Sequence, residues 1–301
     1  MAAQASGSWK APLLRTGISL AELLRAAGPT FLKHRAVLLK LAEHIDVRSP
    51  FFVQLRRAQT RVLMLDYDGT LAPFTPDRTR AYPYREIPAT VSKIMRCNTR
   101  VVLISGRPAT ELLFLSSIHP HPEIWGSHGA ERLYSDGSYE VESPEPRQRT
   151  GLQKADDALQ SAGLAARMEN KPGAIAVHWR GLAQDERTRI EQKLRHLAGP
   201  IIEQYELQLL PFDGGLEIRG IARNKGDAVN AILAEAGKGV TAAYLGDDQT
   251  DENAFRAIKG HGLAVLVRTE PRPTMADVWL HPPDELIHFL REWLAACGEE
   301  K

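Results

Sequence analysis

Asp66 and Asp68 stand two positions apart in RVLMLDYDGTL, and Asp247, Asp248 and Asp251 crowd together in YLGDDQTDENAF. Between them lie Ser105, in LISGR, and Lys225, in NKG. These residue types together could transfer a phosphoryl group. A phosphate monoester is a dianion and repels an attacking carboxylate. A divalent cation between the two removes that repulsion and stabilises the charge of the transition state. Hard cations such as Mg²⁺ take oxygen ligands, which Asp66 and Asp247 can offer. Lys225 would add positive charge against the phosphoryl group, and Ser105 a hydrogen-bond donor. Asp68 could protonate the departing oxygen and later take a proton from an attacking water.

Each signal has a plainer reading on its own. A lone DxD pair is more often a solvated turn, a strand-end serine a helix cap, and a run of acids the favourable start of a helix. Their settings argue for the joint reading. The apolar run before Asp66 is continuous rather than alternating, which suits a strand buried on both faces of a parallel sheet. TRVVLISGR, VTAAYLGDD and GLAVLV repeat that pattern. Helices are predicted over 87–97 and 108–117, so strands alternate with helices and imply a doubly wound α/β core. Open α/β sheets place ligands at the carboxyl ends of their strands, where Asp66, Ser105 and Asp247 would fall. RLYSDGSYEV reads as a hairpin about Asp136-Gly137. Residues 151–219 read as helix 152–162, strand 164–168, strand 174–180, helix 184–197, strand 201–209 and strand 215–219. That αββαββ order implies an open-faced sheet with helices on one side, inserted in the core.

The remaining composition narrows the class. The chain has 301 residues, 43% hydrophobic and 25% charged, as a globular protein should. Its net charge of +1 lacks the basic excess of a nucleic-acid binder. No apolar run reaches the roughly 18 residues of a membrane span. The polar MAAQASGSWK does not read as a signal peptide. Cys97 and Cys297 belong to no metal-binding motif and are expected as reduced thiols of a cytoplasmic protein. Leucines at spacings of three and four over 19–45, interrupted by Gly28-Pro29, predict two further helices ahead of the core.

DYDGTL, LISGR, NKG and GDDQTDENAF, in that order, resemble the four motifs of the haloacid-dehalogenase superfamily of phosphatases. The resemblance implies a core carrying an inserted cap domain, Mg²⁺ as cofactor and an aspartyl-phosphate intermediate. It implies that Asp66 is the nucleophile, and that Asp68 is the acid/base and gives the metal a backbone carbonyl. Ser105 and Lys225 take the phosphate-holding positions. Asp247 is the metal-binding acid, with Asp248 and Asp251 as supporting acids. SHGAE, ENKPGAIAVHWR, LEIRG and Tyr67 are further similar to segments of trehalose-6-phosphate phosphatases. In that family the cap grips sugar hydroxyls with charged side chains, which implies roles for Glu131, Glu169, Lys171 and Glu217. Arg107, after the serine, is a further candidate for phosphate or sugar. Asn253 departs from the pattern, standing where another acid is expected.

The expected division is a helical extension over 1–55, a core over 56–147 and 216–301, and a cap over 148–215. The expected partner is a small sugar phosphate, with neither nucleic acid nor membrane. Trehalose 6-phosphate is the first reading of the substrate. Sucrose phosphate and mannosyl- or glucosylglycerol phosphates keep the same chemistry. A non-enzymatic phospho-accepting domain, like a response-regulator receiver, is the third reading. It would need neither Asp68 nor the insert.

Overall fold

Leu63, Leu65, Val101, Leu103, Ala243 and Leu245 pack on one face of a sheet, and Val62, Met64, Val102, Ile104, Ala242 and Tyr244 on the other. Alternate residues of each strand therefore enter different cores, which is why the strands read as unbroken apolar runs. The computed structural model describes residues 50–75, 77–212, 214–220 and 223–298. The helices predicted over 19–45 lie outside these residues.

The larger sheet is built from β1 (Thr60–Leu65), β2 (Thr99–Ile104), β3 (Glu123–Gly126), β4 (Glu131–Leu133), β5 (Tyr139–Val141), β10 (Val240–Gly246), β11 (Gly262–Val267) and β12 (Val278–Leu280). Their order is β12-β11-β10-β1-β2-β3-β4-β5, parallel from β12 to β3 and antiparallel at β3–β4 and at β4–β5, the expected hairpin. The sheet grows from β1 in both directions, so β1 and β10 flank a topological switch point. On one face lie α1 (Pro50–Arg57), α2 (Ile87–Arg96), α3 (Ala109–Leu115) and the C-terminal helix (Asp284–Gly298), and on the other two helices described below. Phe52 of α1 packs 5.5 Å from Phe289 between ring centroids, so α1 packs on this core cluster.

The smaller sheet is antiparallel, in the order β6-β7-β9-β8, with β6 (Met168–Lys171), β7 (Ala174–His178), β8 (Gln208–Phe212) and β9 (Gly215–Arg219). Its apolar face meets α4 (Pro146–Ser161) and α5 (Gln184–Tyr205) through Leu159, Ile175, Val177, Leu194, Leu216 and Ile218. The expected αββαββ order and one-sided packing hold, but three elements move. The strand placed at 164–168 is a short 3₁₀ turn, and the strand begins at Met168. The strand placed at 201–209 is mostly helix, because α5 runs on past Pro200 to Tyr205. Ile201, Ile202 and Tyr205 continue the apolar stripe onto the same cluster, and tertiary packing overrides the proline signal. α4 starts earlier than 152, where Glu145 and Gln148 form a capping box around Pro146. β9 pairs with β7 and β8 of the smaller sheet through Arg219. No helix among the described residues is long and apolar enough to cross a membrane.

Candidate active site

Asp66 follows β1 and Asp247 follows β10, so neighbouring parallel strands deliver both acids to one end of the sheet. Asp66 N donates to Leu245 O at 2.9 Å, and both side chains are buried. Lys225 opens α6 (Lys225–Ala236), which Asn224 and Asp227 cap reciprocally; Gly226 N donates to Asn224 Oδ1 at 2.8 Å. Its Nζ donates to Asp66 Oδ1 and to Asp251 Oδ1, each at 2.7 Å. Ser105 follows β2, buried, with its backbone N donating to Trp125 O at 2.9 Å. The four sequence segments thus converge on one point.

The acids there differ in their hydrogen bonding. Asp251 Oδ1 accepts from Lys225 and from Tyr244 at 2.5 Å, and Oδ2 from Asp247 N at 3.0 Å and Asp248 N at 2.8 Å. It shapes the loop before α7 (Glu252–Ala257) and aims Lys225. Neither buried oxygen of Asp247 has a hydrogen-bond partner. A buried carboxylate in that condition is costly unless a cation completes it. Oxygens of Asp66, Asp247 and Asp251 lie within 4.8 Å of one another, a spacing that fits a hard divalent ion. Gly69 keeps this space open: its φ is +82°, and a Cβ there would stand 2.2 Å from Asp247 Oδ2. Asp248 sits at the cavity rim, half-buried.

Electrostatics follow the packing. Burial pushes the Asp66 carboxyl up to about 7, against the pull of Lys225. Burial, with Asp66 and Asp251 beside it, drives Asp247 well above the usual range. Added positive charge is what this cluster wants. Burial also opposes charge on Lys225, but Asp251 and Asp66 outweigh it and keep the ammonium protonated. Asp68 faces the same cavity in the grip of Arg107, whose Nε and Nη2 donate to its two oxygens at 2.6 and 2.7 Å. Burial raises the Asp68 carboxyl, yet the Arg107 bonds and charge hold it below its ordinary value.

The smaller sheet closes the cavity with its polar face. Glu169, Ala176 and Glu217 lie across the sheet in one row, and Lys171, Ala174 and Arg219 in another. Lys171 Nζ donates to Glu217 Oε2 at 2.7 Å, and Arg219 donates to Glu217 Oε1. Burial would raise Glu217, but Lys171, His128 and Arg219 hold it well below the carboxylate range. Glu169 accepts from Arg78 and lies 2.8 Å from His178 Nε2. Asp66, Asp68, Ser105, Arg107, Lys171, Lys225, Asp247 and Asp248 line one cavity of about 80 Å³.

Four expected residues, Glu131, Glu169, Glu217 and Asp251, do not line that cavity; Glu169, Glu217 and Asp251 reach it through Arg78, Lys171 and Lys225, which do. Glu131 starts β4 behind the site, where it accepts from Ser127 Oγ, from Ala109 N at 3.3 Å and from Tyr139 OH at 2.8 Å. It braces the Ser127–Glu131 turn against α3 and does not line the cavity. Arg78, His178, Arg180, Phe74 and Phe212 do line it and were not selected from sequence as site residues. His178 alternates with the apolar Ile175 and Val177, a signal that could have placed it beside Ala176 on the polar face. Arg78 lies in a loop with no motif, and no pattern pointed to it. His128, with φ +58°, also lines the cavity, its Nε2 3.9 Å from Glu217 Oε2.

Comparison with known proteins agrees with this geometry. A protein described as probable trehalose-phosphate phosphatase H of Arabidopsis thaliana is 28% identical over 93% of this chain and 88% of its own length. Trehalose 6-phosphate phosphatase RA3 of Zea mays is 29% identical, covering 77% of this chain and 69% of its own. A solved Candida albicans trehalose-6-phosphate phosphatase C-terminal domain shares the fold, at TM-score 0.68 and 19% identity over 85% of this chain and 98% of that one. A family model described as trehalose-phosphatase matches residues 64–281, which include Asp66, Ser105, the smaller sheet, Lys225 and Asp247. The chain belongs to the trehalose-phosphatase family.

Proposed function

We propose that this phosphatase hydrolyses trehalose 6-phosphate to trehalose and phosphate through a phosphorylated Asp66. The observation that carries the chemistry is a buried Asp247, with no hydrogen bond to either carboxylate oxygen, set beside Asp66 and Lys225 at the sheet's switch point. A Mg²⁺ held by Asp66, Asp247 and the Asp68 carbonyl, with Asp248 and Asp251 in support, would neutralise the repulsion between carboxylate and phosphate. An Asp66 oxygen attacks phosphorus and the bond from phosphorus to the sugar oxygen breaks. Asp68 gives that oxygen its proton, then accepts a proton from the water that attacks the phosphorylated Asp66. Lys225 and Ser105 hold the phosphoryl oxygens, and Lys225 stays protonated throughout because two carboxylates surround it.

The substrate reading rests on family membership and on the charged face of the smaller sheet. Lys171 and Arg107 line the cavity, and Glu217 and Glu169 stand behind it, paired with Lys171 and Arg78, so the face offers a sugar charged donors and acceptors. The cavity of about 80 Å³ is small beside the roughly 300–1,000 Å³ of ordinary ligand pockets. A disaccharide therefore enters with the smaller sheet lifted, and the sheet reseats over it, excluding water.

The test is phosphate release by the purified chain from a panel of sugar phosphates, with Mg²⁺ or with EDTA. Release from trehalose 6-phosphate at the highest kcat/KM, and only with Mg²⁺, is the expected result. A higher kcat/KM on sucrose phosphate or a glycosylglycerol phosphate would overturn the substrate. A stable phosphoprotein without steady release would overturn the hydrolysis.

A further inference from the structure

The backbone at Asp247 and Asp248 is held from two directions by side chains. Asp251 Oδ2 accepts from both N–H groups, Asp247 N at 3.0 Å and Asp248 N at 2.8 Å. Arg272 takes both carbonyls: its Nε donates to Asp247 O at 3.1 Å and its Nη2 to Asp248 O at 2.6 Å. Asp248 O accepts a second bond, from Asp251 N at 3.0 Å. Every main-chain polar group of the pair is thus filled, while neither carboxylate oxygen of Asp247 receives a hydrogen bond.

Arg272 belongs to none of the four motifs and comes from the loop between β11 and β12. That loop is fastened to α7. Glu252, the first residue of α7, is buried and accepts from Arg272 Nη1, from Thr274 Oγ1 at 2.8 Å and from Met275 N at 2.8 Å. Arg268, at the start of the loop, adds a longer bond, Nη1 to Asp247 O at 3.3 Å. The same nitrogen stands 3.9 Å from Asp247 Oδ2, beyond hydrogen-bond reach. The base of the loop is closed separately by Asp277, whose N donates to Ala264 O at 2.7 Å and whose Oδ2 accepts from Ala264 N at 3.0 Å.

We propose that Arg272 is a positioning residue for divalent-cation binding, fixing the peptide groups at 247 and 248 so that the Asp247 carboxylate stays aimed at the space it shares with Asp66. The proposal rests on the reading that Asp247 holds a cation. The planar fork of arginine suits the task, since donors in fixed geometry meet two successive carbonyls while another meets Glu252. Glu252 also offsets the arginine charge, which would otherwise oppose a cation nearby. Without Arg272, Asp251 still holds the two N–H groups and Arg268 still touches one carbonyl. The peptide groups are nevertheless freer to turn, and the Asp247 side chain turns with them. A cation must then order that carboxylate as it binds, which lowers its affinity.

The test is a titration of Mg²⁺ into the full chain, stripped with EDTA and free of substrate, read by calorimetry and by the rise in thermal midpoint. Arg272→Ala is expected to raise the Mg²⁺ dissociation constant by about tenfold or more. Arg272→Lys restores the charge and a donor but not the fork, and should recover part of that loss. Asp277→Asn loosens the base of the same loop without touching either carbonyl. It should lower the thermal midpoint in EDTA and leave the Mg²⁺ dissociation constant within about twofold. Unchanged Mg²⁺ binding in Arg272→Ala, or an equal loss in Asp277→Asn, would overturn the proposal. If Arg272→Ala does not fold, Arg272→Lys decides, and native Mg²⁺ affinity there overturns it. A native chain that takes up no Mg²⁺ would instead remove the cation reading itself, and the proposal with it.

Discussion

The two halves of the cavity are built on different principles. On the larger sheet each working side chain sits just past the end of its own strand, or at the first residue of a helix. Parallel topology collects these ends, and the switch point between β1 and β10 brings Asp66 and Asp247 together. On the smaller sheet the working side chains lie within the strands, every second residue along β6, β7 and β9. Which of them meet is set by antiparallel register, and a slip of one residue would turn Glu217 and Lys171 toward α4 and α5. In the proposed function, chemistry is placed by strand ends and recognition by a sheet face.

That contrast can be broken most sharply at Asp66. Asp66→Asn keeps the side chain's shape, and it should lower kcat by on the order of 10³-fold or more on every phosphate monoester, sugar or not. Comparable turnover by the variant on any substrate would remove Asp66 as nucleophile. A smaller and substrate-selective effect is expected across the cavity. Glu217→Gln loses the ion pairs to Lys171 and Arg219, and kcat/KM on trehalose 6-phosphate should fall on the order of 10- to 100-fold. Hydrolysis of p-nitrophenyl phosphate should stay near native, and an equal fall on both substrates would erase the distinction between the halves.

The smallest effect is on stability. Burial, with Arg78, Lys171 and Arg180 nearby, pushes His178 down to about 3, so it stays neutral in the folded chain well below its ordinary value. Between about pH 6.5 and 3 the unfolded chain binds the extra proton, and stability therefore falls as pH falls through that window. The slope from this residue is at most about 1.4 kcal/mol per pH unit. His178→Gln should flatten the acid-side decline seen by thermal melting at successive pH values. An unchanged slope would mean that the proton is taken up in the folded state as well.

The two halves were not equally legible in the sequence. Asp66, Ser105, Lys225 and Asp247 each lie in a short stretch whose strand, turn and cap signals are local. Their convergence followed from the strand-helix alternation alone. Within the smaller sheet, Glu169, Lys171 and Glu217 came by family likeness, and the strand placed at 201–209 turned out to be α5. Pro200 reads locally as a stop, while the apolar stripe that carries the helix onward is visible only against the surface it packs on. Glu131 illustrates the same limit. Its residue type suits a sugar contact, yet its hydrogen bonds to Ala109 and Tyr139 spend it on bracing a turn.

By itself the sequence determined the order of the strands' chemistry: which residues stand at their ends, and that a parallel core must gather them, because buried-strand patterns and helix caps are written in near neighbours. Only the tertiary structure decided that neither carboxylate oxygen of Asp247 receives a hydrogen bond, that Asp251 is filled by Lys225 and Tyr244, and that Arg78 joins the two sheets. Those outcomes depend on side chains far apart in the chain competing for the same few charges, and no local pattern records who wins such a competition.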